Sequence, residues 1–383
     1  MLIDLKEKVY SIGLMSGTSL DGIDVCLASH HNNHHELIQF RSYSYSDELK
    51  QKILNASKLD TSNVQLICSL NKELGIEYVN AINKFLQDTN TNIDDISFIA
   101  NHGQTIWHNP ESINGTFPST LQIGDASYIS YKLNKTVVFD FRSLDISAGG
   151  CGAPLVPVID YLLFKDKAPA ILLNIGGISN ITYIPKSKKQ EDVVAFDTGP
   201  VNMLIDGLMM KLYNLPYDED GRVALKGKIS KELLDTLMQD EYYNESYPKS
   251  TGREKYNEEY INYILNLSKE LKLKNEDIIR TVTALTSHVV KYQIKKFFKE
   301  FDGVLIPAGG GCNNPVIMED LKSNDYTLQK IDEYNISADA KEAYAFSILG
   351  YLRLTNQASN LRSVTGSIDN LSLGSIILPP VIK

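Results

Sequence analysis

The sequence predicts an α/β protein built from two structurally related domains. Three observations predict it. The chain has 383 residues, 43% of them hydrophobic and 22% charged, a size that suits two sizeable cores. An order of three strands followed by helices occurs twice, first from residue 9 and again from residue 170. Four glycine-bearing loops, at 16–22, 149–152, 176–177 and 309–311, follow apparent strands, where sheets of this class collect their ligands.

Taken in order, an apolar run over 9–15 reads as a strand, Ser16 to Gly22 as a tight polar turn, and 23–28 as a second strand. Glycine permits such a turn and leaves backbone N–H groups uncovered. The turn reads in two ways. Its N–H groups and hydroxyls suit a phosphate, with Asp21 and Asp24 for an accompanying metal ion. Equally, Asp and Ser are ordinary turn formers. The His30–His35 stretch, four of the 7 histidines, reads as a solvated hairpin loop, since no carboxylate or cysteine framework accompanies it. A third strand follows over 37–45. Residues 46–57 and 64–86 have apolar positions at helical spacing. A short buried strand, 96–100, ends in a loop, Asn101-His102-Gly103-Gln104-Thr105. Residues 125–133 read as helix and 136–141 as strand. The glycine-rich segment 141–154 reads as a loop and a candidate domain crossover.

The opening order then recurs: strand 170–175, a Gly176-Gly177 turn, strands 178–184 and 193–196, and a helix over 201–213. The polar segment 218–253 is expected to hold loops and short helices, with a mobile flap as one reading. Helices are expected over 257–271 and 275–301. A buried strand, 303–307, enters Gly309-Gly310-Gly311, and helices over 315–321 and 338–355 follow. Pro379 and Pro380 stop any further element.

The formal net charge of −9 argues against nucleic acid or an anionic membrane as partner. Cys26, Cys68, Cys151 and Cys312 are scattered without a CxxC pair and read as reduced thiols of a cytoplasmic protein. No apolar run approaches the ~20 residues of a membrane span. Asp4, Lys6, Glu7 and Lys8 precede the first apolar stretch, so no signal peptide is expected.

Phosphates need close backbone approach, which glycine permits, and four glycine loops in one chain favour a nucleotide. It is not a P-loop protein, because Ile23 follows Gly22 where Lys is required. Nor does it carry a Rossmann fingerprint, since Asn314 stands where the third glycine would be. Among carboxylates, Asp197 stands out at a predicted strand end in Phe196-Asp197-Thr198-Gly199-Pro200. It is either a general base or the N-cap of the following helix. Arg142 either pairs with Asp145 or holds a substrate oxygen by its guanidinium fork. His102 or His108 could hydrogen-bond a polar ligand. Trp107 reads as a core or surface residue, and Glu342 as part of a solvated helix face.

Together these stretches resemble one family, the anhydro-N-acetylmuramic acid kinases. The resemblance runs nearly end to end through IGLMSGTSLDGIDV, NHGQTIWH, LQIGD, FRSLDISAGGCGAPLVP, LLNIGGISNIT, FDTGPVNMLID, YDEDGRVALKGKIS, PKSTGRE, GGGCNNP, DAKEAYAF and VTGS. It implies two ribonuclease-H-like domains of the actin and sugar-kinase type with an interdomain nucleotide cleft. The domains are expected at 1–140 plus 346–383 and at 141–345.

The implied reaction is an ATP-dependent phosphotransfer to an alcohol group. Water opens 1,6-anhydro-N-acetylmuramic acid and oxygen 6 is phosphorylated, in cell-wall recycling and amino-sugar catabolism. The resemblance places ATP, with Mg²⁺ at Asp21, against Gly17, Thr18, Ser19, Leu20, Asp21, Gly22, Ile23, Asp24, Gly176, Gly199, Gly309, Gly310, Gly311 and Asn314. It places the sugar against Ser19, His102, Gln104, Thr105, Arg142, Asp145 and Glu342, and makes Asp197 the base that activates water. Family members suggest a homodimer. Cys151, Asp160 and Cys312-Asn313 depart from the expected pattern of Gln, His and Ala-His. Rival readings are a kinase of the same fold acting on a simple hexose or amino sugar, and a chaperone-like ATPase or nucleotide-binding regulator.

Overall fold

The structure, a computed structural model, describes residues 3–4, 6–17, 20–112 and 115–380. The chain forms two compact units, residues 1–159 with 340–383 and residues 160–339. The expected crossings, after residues 140 and 345, are displaced. Residues 141–159 stay with the first unit because their polar groups are satisfied there. The buried Asp145 carboxylate accepts from Asn360 Nδ2 at 3.1 Å and Thr365 Oγ1 at 2.8 Å, and Cys151 N donates to Thr365 O at 2.8 Å.

In the first unit, β1 (Val9–Ser16), β2 (Gly22–His31) and β3 (His34–Ser44) form an antiparallel meander. β4 (Ile96–Asn109) lies parallel to β1, carries β5 (Ser119–Ile123) on its far half, and is flanked by parallel β6 (Thr136–Phe139). The second unit repeats the plan. β7 (Ala170–Ile175), β8 (Ile178–Ile184) and β9 (Val194–Pro200) are the meander, with β10 (Val304–Ala308) and β11 (Thr327–Leu328) added in parallel. The sheet orders are β12-β6-β4-β1-β2-β3 and β11-β10-β7-β8-β9. β12 (Ser375–Ile377) is an extra antiparallel edge on the first. Each sheet therefore has its first strand central, the meander on one side and parallel strands on the other.

Alternation along β1 assigns its two faces. Ile12 and Leu14 join Leu70, Leu74, Tyr78, Ile82 and Phe85 of the helix Val64–Asp88 in one buried cluster. Ser11 and Gly13 face the helix Lys341–Leu354. A Cβ on Gly13 would lie 2.1 Å from Ala343 O, and one on Gly350 2.7 Å from Ala100 Cβ. The two missing side chains let this helix lie directly on β1 and β4, and so fix where its first turn, with Glu342, projects.

Several expected elements change. β4 does not stop at residue 100; Asn101 to Thr105 continue it, because Gln104 and Thr105 find partners in Ile123 and Gln122 of β5. Segment 141–154 contains the short helix Ser143–Ser147, and Val156–Phe164 is helical. The supposed flap contains the helix Lys231–Leu237 and buries Leu233, Leu234, Leu237, Tyr242 and Tyr243 in the second core, so it is a packed part of that unit. His30 is fully buried rather than solvated, and shares a 2.9 Å Nδ1–Nδ1 hydrogen bond with His35. Its Nε2 meets Ser11 Oγ at 2.8 Å and Ser347 Oγ at 3.0 Å. Among the described residues, no helix is long and apolar enough to cross a membrane.

Candidate functional site

In the first unit the residues that matter meet at the C-terminal end of β1. Two adjoining cavities open there. One, of about 320 Å³, is lined by Met15, Ser16, Gly17, His102, Thr105, Arg142 and Glu342. The other, of about 170 Å³, is lined by Gly17, Asp21, Gly22, Asp24, Ser42, Ser44 and Glu342. Gly17 and Glu342 belong to both.

A bulge puts His102 into the first cavity. Leu14 pairs with Asn101 and Ser16 with Gln104, so β4 holds one residue more than β1 between the pairs. Gly103 takes φ +79°, a left-handed conformation that glycine adopts at little cost. His102 Nδ1 donates to Gly103 O at 2.7 Å, and Arg142 Nε donates to His102 Nε2 at 3.0 Å. The ring is thus neutral with its proton on Nδ1. Burial, and secondly the Arg142 cation, hold its pKa well below the usual histidine range. Arg142 Nη1 donates to Gly152 O at 2.8 Å. Burial lowers the guanidinium to about 10 against the opposing pull of Glu342, so it is a fixed cation at neutral pH.

Glu342 is exposed toward the cavities, yet its carboxyl is pushed up, first by desolvation among the surrounding protein atoms and then by the Asp24 charge; Lys341 and Arg142 act the other way. One carboxylate made uncomfortable by another, beside exposed Asp21, is a place that favours a cation. Among the described residues there is no group of three or more His, Cys, Asp or Glu able to hold a metal alone. Ser42 Oγ, on β3, donates to Asp24, its register partner on β2.

Several expected site residues have other duties. Ile23 is in the hydrophobic core, and so is Leu20, whose N donates to Gly17 O. Gln104 is fully buried and its Nε2 donates to Gly17 O at 3.1 Å, so it braces the turn from behind. Asp145 does not pair with Arg142. Its two oxygens take Gly152 N, Asn360 and Thr365, which leaves it a structural carboxylate rather than a sugar contact. Thr18 and Ser19 lie outside the described residues.

The second unit holds Asp197 on β9. It does not cap the next helix, Asn202–Tyr213, whose cap position is Val201. Asn180 pairs with Asp197 and Ser179 with Gly199, so Thr198 is an extra residue; such bulges re-aim a neighbouring side chain. Asp197 Oδ2 accepts from Thr251 N at 3.0 Å. Burial raises its pKa to about 6, with Glu254 adding to the rise and the Thr251 bond opposing it.

Gly176 and Gly177 carbonyls accept from the N–H groups of Asn202 and of Val201 and Met203, so this turn anchors the helix that follows. Gly199 packs under Tyr243, whose Cε1 would be 2.9 Å from an added Cβ. In the Gly309 loop, Gly309 (φ +91°) and Gly311 press on the end of β7 near Asn174 and Ile175, while Gly310 faces open space. Asn314 caps the helix Pro315–Asp320 through Val316 N at 3.0 Å. Of the departures, Asp160 is buried and accepts from Thr182 Oγ1 at 3.1 Å, Cys151 is exposed and Cys312 half-buried. Reasoning from sequence missed Met15, Ser42 and Ser44 as cavity residues. The Ser42-Tyr43-Ser44 alternation opposite Asp24 and Gly22 was the available signal for the last two.

Two units with one meander-plus-parallel sheet plan, each ending in glycine turns and carboxylates, define a two-domain protein of the ribonuclease-H-like, sugar-kinase type. The family model described as anhydro-N-acetylmuramic acid kinase matches residues 9–379. The chain belongs to the anhydro-N-acetylmuramic acid kinase family. A relative of that name from Clostridioides difficile strain 630 is 44% identical over 381 residues, covering 97% of this chain and 99% of its own length. Another, from Bacillus thuringiensis strain Al Hakam, is 40% identical over 384 residues, covering 97% and 99%. Among solved structures, the (R)-2-hydroxyglutaryl-CoA dehydratase component A of Acidaminococcus fermentans aligns with 91% of this chain and 99% of its own at 10% identity and a TM-score of 0.46, too distant to bear on the site.

Proposed function

We propose that this chain uses ATP to convert 1,6-anhydro-N-acetylmuramic acid to N-acetylmuramic acid 6-phosphate in peptidoglycan recycling. The family match along residues 9–379 carries this reading. In the proposed reaction, water attacks the anomeric carbon and gives its proton to Asp197. The bond from that carbon to oxygen 6 breaks, and oxygen 6 takes the γ-phosphoryl group, leaving ADP. A carboxylate of pKa about 6 is a usable base at neutral pH. Arg142, held as a cation and oriented by neutral His102, would present its remaining N–H groups to sugar oxygens beside Glu342 and Thr105.

Gly17, Gly22 and the Thr18-Ser19 pair would receive the phosphates, and the Gly309–Gly311 turn, open at Gly310, the adenosine. Mg²⁺ would be held at Asp21, with Asp24 behind it, where it offsets phosphate charge. The cavity lined by Asp21, Asp24 and Glu342 suits an ion that keeps waters and arrives with ATP. Four free cysteines, as a reducing compartment keeps them, support placing the enzyme in the cytoplasm, and family likeness a homodimer.

The test is ADP release by purified protein offered different sugars. The reading expects release with the anhydro sugar and none with glucose or N-acetylglucosamine. Release with a simple hexose would favour the rival kinase, and release without sugar a stand-alone ATPase.

A further inference from the structure

Asp197 is held from three sides by chain outside its own strand. Thr251 N donates to its carboxylate at 3.0 Å, its own N–H donates to Lys249 O at 3.2 Å, and Tyr242 OH donates to its carbonyl at 2.8 Å. Two of the three contacts come from one strap, residues 249–251. The strap is held in turn by the Lys249 side chain. Its ammonium donates to Tyr242 O at 2.8 Å and sits 4.5 Å from the Tyr242 ring centroid, 5.4 Å from Phe297 and 5.6 Å from Phe196. Three aromatic faces around one half-buried ammonium form a cation–π box. The box is built from the strand that carries Asp197, the turn that holds its carbonyl and the helix Asn275–Phe297. Nothing in the phosphate or sugar cavities uses Lys249.

We propose that Lys249 is a positioning residue for Asp197: by locking into the aromatic box it pins the strap whose Thr251 N–H orients the base and keeps it ionised. The proposal rests on the reading of Asp197 as the base. The charged and titratable groups around the pair are Glu254 and Lys255 on the strap side, Asp240, Tyr242 and Glu245 from the preceding turn, and Lys296 from the helix. Only Glu254 and the Thr251 bond act on Asp197 directly, in opposite senses. Loss of the Thr251 bond therefore moves the carboxyl up.

The experiment is the pH profile of kcat for sugar-dependent ADP release in the wild type, Lys249→Met and Lys249→Arg, with Asp197→Asn alongside. Methionine keeps the unbranched apolar stem and loses the charge and donor. Arginine keeps both. The proposal expects the acid limb of Lys249→Met to move up by about one pH unit, with activity regained at higher pH, KM for ATP unchanged, and the wild-type limb kept by Lys249→Arg. A wild-type limb in Lys249→Met, or an equal loss at every pH, overturns it. Full activity in Asp197→Asn would instead remove the base assignment itself. Should Lys249→Met fail to fold, Phe297→Leu, which removes one face of the box and leaves every bond to Asp197 in place, must move the acid limb up in the same sense; an unmoved limb overturns the proposal.

Discussion

Arg142 Nε donates to the unprotonated Nε2 of His102 at 3.0 Å. A cation and a buried imidazole are thereby locked together, with the histidine unable to take a proton without losing its partner. The pair spends one Arg142 donor on orientation and another on Gly152 O, leaving the rest of the fork for a ligand. Arg142→Lys keeps the charge and loses the fork. The expected outcome is a rise in KM for the sugar of about 10–100-fold, the worth of one or two charge-assisted hydrogen bonds, with ATP affinity little changed. Steady-state kinetics on both substrates would check it.

Asp197 must be ionised to accept a proton. With its pKa raised to about 6, kcat is expected to fall toward tenfold per pH unit below pH 6 and to level off about one unit above it. A titration of kcat from pH 5 to 8 reads this. His102 lies well below its ordinary range and adds no second limb in that window.

Stability should also depend on pH. His30 and His102 are held well below the ordinary histidine range and His35 is lowered to about 4, each mainly by burial. In the window between about 4 and 6.5 the unfolded chain binds protons that the folded chain refuses, so stability falls as pH falls. Asp197 and Asp206, raised to about 6 by burial, act in the opposite sense there and lose stability as pH rises through 6. A comparison of the wild type with His35→Gln isolates the histidine part. The drop in Tm between pH 7 and pH 5 should be smaller in the variant. An equal drop would show that the His30–His35 pair does not contribute.

Asp145 is satisfied wholly by protein donors. Asp145→Ala strands those donors in a buried place, at a cost of about 3–5 kcal/mol by analogy with breaking a buried charged pair. Denaturant unfolding should show the loss, while protein that remains folded keeps its sugar KM.

Gly13→Ala forces a methyl against Ala343 O, a backbone atom 2.1 Å from the ideal Cβ position. Overpacking of this kind costs about 1–3 kcal/mol. It also lifts the helix that carries Glu342, so KM for the sugar should rise together with the fall in stability.

Much of this was legible in the sequence. Short apolar runs between turns gave the meander in both halves, and glycine marked the turns where Asp21 and Gly309 sit. What was hidden depends on partners far away along the chain. Polar Asn101 to Thr105 read as loop because their strand partner, β5, has no strong apolar pattern. Asp145 read as a ligand contact because its partners, Asn360 and Thr365, are more than 200 residues away. Glu342 read as solvated because one turn of helix says nothing of the cavity it overhangs. Lys249 lay in a polar stretch, and its aromatic box is assembled from three separate elements.

The most direct test of the proposed chemistry is mass spectrometry of the sugar product after reaction with ATP, Mg²⁺ and 1,6-anhydro-N-acetylmuramic acid in ¹⁸O-labelled water, with Asp197→Asn run in parallel. The expected result is a phosphorylated sugar that carries one solvent oxygen, and its loss in the variant. A phosphorylated product without solvent oxygen, or one formed equally well by Asp197→Asn, would contradict it.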